Sequence, residues 1–188
     1  MKAFLISSAV VVLVLAAPAR GQETINNPEF ASWSKFKPGT SVTMKTSTAA
    51  ADFKTESTIK NTLVEVGTDK LVIETTVTMT VNGMEMKNPP MKREVPKQIT
   101  IPAGAPKPPE PGKKPEGTVE EGTETLKIAG AEYKTKWYKT KNTIEGNTTE
   151  AKVWLSDDVP GTLVKLDSTT TGMVNVMLKM ELAEFKKP

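Results

Sequence analysis

The side chains of this chain that are able to do chemistry are few in kind. Histidine and cysteine are absent, which removes imidazole and thiolate nucleophiles, the Ser-His-Asp arrangement and every zinc site built on nitrogen or sulfur. Carboxylates, amines, thioethers and aromatics remain. Asp157 and Asp158 are adjacent, but an acid/base pair must converge on a substrate from separate places, and neighbours in a turn diverge. Met79, Met84, Met86 and Met91 fall close together, and Met84-Glu85-Met86 has the spacing at which thioethers on one strand face hold Cu(I). With no His or Cys to complete such a set, the expected role of these methionines is to fill gaps on an adaptable apolar surface. Lys134, Lys136, Lys139 and Lys141 interleave with Trp137 and Tyr138 in the manner of a nucleic-acid stripe. In an extended chain, however, Lys134 and Lys136 face away from Lys139 and Lys141, so no single basic face forms. The expectation is a non-enzyme with no catalytic residue, no metal, no cofactor and no nucleic-acid partner.

The amino-terminal residues set the compartment. Lys2, an apolar run from Ala3 to Ala17 and then Pro18-Ala19-Arg20-Gly21 have the parts of a secretory signal. The run is 15 residues, short of the roughly 20 that a spanning helix needs. Residues 1–21 are therefore expected to be a signal peptide, cut between Ala19 and Gln22, with no stable membrane span once it is gone. No cysteine follows the run, so a lipid-modified amino terminus is not expected. Loss of Lys2 and Arg20 takes the net charge from +3 to +1 over the remaining 167 residues, which is not a nucleic-acid-binding balance. An exported chain without disulfides has to be held by its core, and residues 22–188 suffice for a single β domain.

Asn27-Pro28-Glu29 reads as a helix opening, with Asn27 as the cap and Pro28 in the first turn. Phe30, Trp33 and Phe36 then share one side and would plug one end of a core, and Lys37-Pro38-Gly39 stops the helix. From Thr40 onward the apolar period is two. Leu71, Ile73, Thr75, Val77, Met79 and Val81 point one way, and Glu74, Thr76, Thr78 and Thr80 the other. Asn82-Gly83 is a hairpin turn. The return strand from Met84, interrupted by Asn88-Pro89-Pro90 and Pro96, belongs at a sheet edge. Six prolines between Ile101 and Gly117 make an exposed loop at about 102–117 that joins two halves of one sheet. Strands follow at Tyr133–Ile144, Thr148–Leu155 and Thr162–Thr170, with a corner at Pro160-Gly161, and Val176, Leu178, Met180 and Leu182 give a second clean alternation. The fold class is mainly β: an antiparallel up-and-down meander of about nine or ten strands forming a strongly curved sheet, a half-barrel, with one short N-terminal helix.

Trp33 to Lys37-Pro38-Gly39, then Glu124-Thr125-Leu126-Lys127-Ile128-Ala129-Gly130-Ala131-Glu132-Tyr133, then Val153-Trp154-Leu155-Ser156-Asp157-Asp158-Val159-Pro160-Gly161 with Leu163-Val164-Lys165, in this order, resemble uncharacterised exported bacterial proteins of unknown-function families. Their fold is similar to that of the periplasmic lipoprotein carriers, a curved antiparallel sheet with helices in its concavity. The resemblance implies an exported, non-catalytic binding or carrier protein of the cell envelope, in the periplasm or outside the cell. The expected ligand is lipid-like or otherwise apolar, on a concave face formed by Trp33, Ile73, Val77, Met79, Val176, Leu178 and Met180. The alternative is a structural or protein-interaction component of the envelope with a filled core and an unnamed protein partner, met through an edge strand or the proline loop.

Overall fold

The computed structural model describes residues 22–51, 53–81, 83–102, 108, 113–173 and 175–188. The expected signal at 1–21, most of the proline-rich loop and Asn82 of the hairpin turn lie outside the described residues. The elements are β1 (Gln22–Asn26), α1 (Pro28–Trp33), β2 (Ser41–Ala50), β3 (Phe53–Val66), β4 (Lys70–Val81), β5 (Met84–Lys87), β6 (Met91–Pro96), β7 (Gln98–Pro102), β8 (Thr118–Ile128), β9 (Ala131–Ile144), β10 (Asn147–Leu155), β11 (Leu163–Thr171) and β12 (Val176–Lys186). Ten strands form one antiparallel sheet in the order β5-β4-β3-β2-β12-β11-β10-β9-β8, with β6 also paired to β4, and β1 and β7 make a separate ribbon. Two hairpin meanders, β2 to β6 and β8 to β12, are thus joined where the last strand lies beside the first. The sheet does not close on itself: β8 is one edge, and β5 and β6 are the other.

Local chemistry explains the turns and the cap. Glu145 and Gly146 between β9 and β10 both have positive φ, 48° and 79°, the backbone that a two-residue hairpin requires. Asn27 is extended, its Oδ1 accepts from the Glu29 N–H at 3.0 Å, and Pro28 opens the helix. The Asn27 Nδ2 donates to the Pro96 carbonyl, and its backbone N–H to that of Lys97. One residue therefore fixes α1 to the β6–β7 junction. Six residues are too few for a helix to hold itself, so α1 depends on what it buries.

Its burial lies at one end of the sheet. Phe30 and Trp33 pack with Val42 and Met44 of β2, Leu63 of β3, Leu71 and Ile73 of β4, Val95 of β6 and Leu182 of β12, while Phe36 meets Phe185 edge-on at 6.0 Å. Leu63, Leu71 and Ile73 are wholly buried, each contributing ~1.5–3 kcal/mol. Three register shifts, at Leu63/Glu65, Trp154/Leu155 and Leu182/Glu184, occur at this same end, and bulges sharpen strand twist, which wraps the sheet about the helix. The corner after β10 closes over it: Val159 is buried, and the Gly161 N–H donates to Ser32 Oγ at 2.6 Å.

The helix ends at Trp33 rather than Phe36, which sits in a following turn with its N–H on the Trp33 carbonyl. β8 begins at Thr118, earlier than Glu124. The β1–β7 ribbon and β6 carry too short an alternation to be read from spacing.

Candidate ligand-binding face

Residues directly opposed in adjacent antiparallel strands share a sheet face, so the registers place every expected ligand residue. Leu71 and Ile73 face α1, and with them, by alternation along β4, Val77, Met79 and Val81. Met79 lies in the cross-strand row Met86–Met79–Ser57–Thr46–Met180–Leu166–Val153–Tyr138. The next row outward is Met84–Val81–Thr55–Thr48–Leu178–Ser168–Ala151–Thr140, and Phe53, Ala50 and Val176 start the one beyond. All seven expected residues therefore belong to the helix side of the sheet, but in two groups. Trp33 and Ile73 lie in the sealed core at 3% and 0% exposure. Val77, Met79, Val176, Leu178 and Met180 are half-buried, with Met180 packed against the edge of that core. Met79 and Met180 are three strand steps apart, roughly 14 Å. Phe53, Met84 and Met86, on the same face, are 51%, 71% and 51% exposed.

A hollow of about 460 Å³ opens beside α1, where Pro28 and Ser32 face Lys136 and Tyr138 of β9 and Val153 and Leu155 of β10. Tyr138 opposes Val153 and Lys136 opposes Leu155, so two polar-tipped side chains stand against two aliphatic ones. Glu29 on its rim is held by both guanidinium nitrogens of Arg93. A second hollow, about 430 Å³, lies toward the opposite face among Lys45, Glu56, Thr58, Thr78, Lys179 and Glu181. Its charged walls suit no apolar ligand.

The opposite face also carries a cluster that the sequence reading did not identify. Trp137 and Trp154 are directly opposed, and the Lys152 ammonium sits 4.3 Å from one indole centroid and 4.4 Å from the other. The Trp154 Nε1–H donates to Glu124 Oε1, and Lys152 reaches the same oxygen at 3.3 Å. The hydrogen bond from Trp154, with Lys152 and Lys165 adding, holds the Glu124 carboxyl below its ordinary value of 4.5 against the opposing effect of burial. Burial alone pushes the Tyr133 phenol up. Trp137 lies across Gly122 of β8. The signal for this pairing was present, because 137 and 154 are equidistant from the Glu145-Gly146 turn. Lys139 shares the Trp137 face, and Lys136 and Tyr138 share the other, so the lysines do divide between the two faces.

No family model matches the chain, and no curated protein does. Among solved structures, one from Parabacteroides distasonis titled as a lipoprotein is similar at 14% identity, covering 79% of this chain and 97% of its own, with a TM-score of 0.39. Another, from Vibrio parahaemolyticus and titled as an outer-membrane lipoprotein-sorting protein domain, is similar at 13% identity over 85% of this chain and 91% of its own, with a TM-score of 0.26.

Proposed function

We propose that the protein is an exported, non-catalytic binding or carrier protein of the cell envelope, and that the helix side of its sheet takes an apolar, lipid-like ligand. The observation that carries this reading is the division of that face. One half is sealed by α1 and the corner at 156–162, and the other bears methionine, valine and leucine with no second layer over them among the described residues. Val77, Met79, Val176, Leu178 and Met180 form the bed, and Trp33 and Ile73 belong to the fixed wall behind it. The hollow beside α1 has a volume within the range of small-molecule sites, about 300–1,000 Å³. Its Val153 and Tyr138 continue the row that holds Met79 and Met180.

The test is titration with a fluorescent acyl-chain probe followed by displacement with unlabelled lipid. Binding in the micromolar range is expected. Leu178→Lys, on a half-buried strand position that tolerates a long side chain, is expected to weaken it about tenfold while the circular dichroism spectrum is unchanged. A folded protein that takes up no probe, or an L178K variant that binds as wild type does, refutes the reading. β8 favours a second one: its eleven residues have a strand neighbour on one side only, which is the geometry of an interaction protein that accepts a partner strand. Absent probe uptake together with protection of β8 amides by an added partner would select it.

A further inference from the structure

We propose that the hollow beside α1 binds the oxyanion head of a single-chain amphiphile, with Lys136 as the counter-ion and the Tyr138 hydroxyl as a hydrogen-bond donor. This rests on the carrier reading and specifies the ligand that the carrier holds. Tyr138 is 6% exposed, yet among the described residues its hydroxyl has no hydrogen-bond partner. Among the described residues, Thr46 Oγ1 is the unpartnered side-chain oxygen sealed from solvent. The Tyr138 oxygen is therefore reachable, and the residue lines the hollow. A phenol hydroxyl that opens onto the hollow with no protein acceptor has its hydrogen to give to an acceptor held there.

A cation able to meet an anionic head stands on the same face. Among the described residues Lys136 makes no ion pair, and it shares the face of Tyr138, two residues along β9. Lys113 also lines the hollow. The carboxylates on the wall are Glu29, already bound by Arg93, and Asp157. Against this polar side stand Val153 and Leu155. From Val153 the same row runs through Leu166 to Met180, an apolar track along which a tail leads from the hollow to the uncovered sheet. A head that accepts hydrogen bonds and carries negative charge, joined to one flexible chain, satisfies both sides. Carboxylate and phosphate share that chemistry.

The experiment is calorimetric titration of the folded protein with dodecanoate, dodecyl phosphate and uncharged dodecyl maltoside, which share one tail. At least one anionic probe is expected to bind about tenfold more tightly than the maltoside. Preference for dodecanoate assigns a carboxylate head, and preference for the phosphate a phosphate head. Lys136→Gln, at an exposed position, and the near-isosteric Tyr138→Phe are each expected to remove most of that preference while the circular dichroism spectrum stays as in wild type. Equal binding of charged and uncharged probes, or variants that keep the preference, overturns the head site and leaves the carrier reading standing. No binding of any probe overturns both.

Discussion

Gly122→Ala reverses its sign according to what lies above it. A Cβ on Gly122 would fall 2.6 Å from Trp137 Cζ2 and 2.8 Å from Cε2, well inside contact distance. The backbone itself does not object, because Gly122 is not among the residues of positive φ. In a strand interior, replacing glycine by alanine is otherwise favourable by ~0.5–1 kcal/mol. The indole is not free to swing away, since the Lys152 ammonium lies 4.3 Å from its centroid and Trp154 stands opposite. Displacing it costs ~1–3 kcal/mol of overpacking and forfeits ~0.5–1 kcal/mol of cation–π attraction. The single variant is therefore expected to lose about 1–2 kcal/mol, which at ~2–4 °C per kcal/mol for a chain of this size lowers Tm by several degrees. In a Trp137→Ala background the obstruction is gone, and the same change should stabilise by ~0.5–1 kcal/mol. Urea denaturation of the four proteins of this cycle, followed by circular dichroism and checked for constant m, reads the coupling directly. A G122A variant that is more stable than wild type, or that shifts both backgrounds alike, refutes the packing of Trp137 on β8.

Thr46→Val removes the sealed hydroxyl that has no hydrogen bond and keeps the shape of the side chain; a gain of about 1 kcal/mol is expected, seen as a Tm higher by ~2–4 °C, and an unchanged or lower Tm counts against it. Asn27→Ala loses both the cap to Glu29 and the Nδ2 bond to Pro96, costing ~1–3 kcal/mol in chemical denaturation. Asn27→Asp keeps the cap acceptor but not the donor and should fall between, so equal losses in the two variants would be inconsistent with the double role. Glu124 has a lowered folded-state pKa, so the stability it contributes is fully present above its ordinary value of 4.5 and is lost as pH falls through the folded value. Trp154→Phe removes the main cause and should flatten the acid side of the Tm–pH curve; parallel acid limbs for variant and wild type would contradict this.

Spacing revealed most of the sheet because its long strands each repeat one apolar face over many residues, as Leu71 to Val81 and Val176 to Leu182 do. Asn27 and Pro28 gave away the helix for the same reason, being local signals of known backbone geometry. β1, β6 and β7 have five, six and five residues, and their pairing is decided by distant partners: β1 finds β7, and β6 finds the half of β4 that β5 leaves open. The hollow beside α1 was illegible in a stronger sense. It exists because the corner at Gly161 docks on Ser32 and brings the helix over Tyr138 and Val153, a contact between segments 129 residues apart that no periodicity announces. The Trp137–Trp154 pair was different, since a hairpin centred on Glu145-Gly146 already opposes them.

The uncovered half of the sheet has no second layer among the described residues, and a lone layer is weak unless its own side chains tie the strands together. Across β8 to β10 these ties lie on the face away from α1: Lys139 to Glu120, Lys141 to Glu150 at 2.8 Å, Lys152 to Glu124 at 3.3 Å, and Thr143 to Thr148 at 3.1 Å. Three of them are directly opposed pairs of the kind that contributes ~0.2–1 kcal/mol and Lys152 to Glu124 reaches across β9, so it is their number and the tryptophan–lysine stack among them that keep β8 to β10 in register. On these three strands the apolar side is thereby freed from holding the strands together. At the other edge Met84 and Met86 are 71% and 51% exposed, at a cost in water that an apolar occupant would recover.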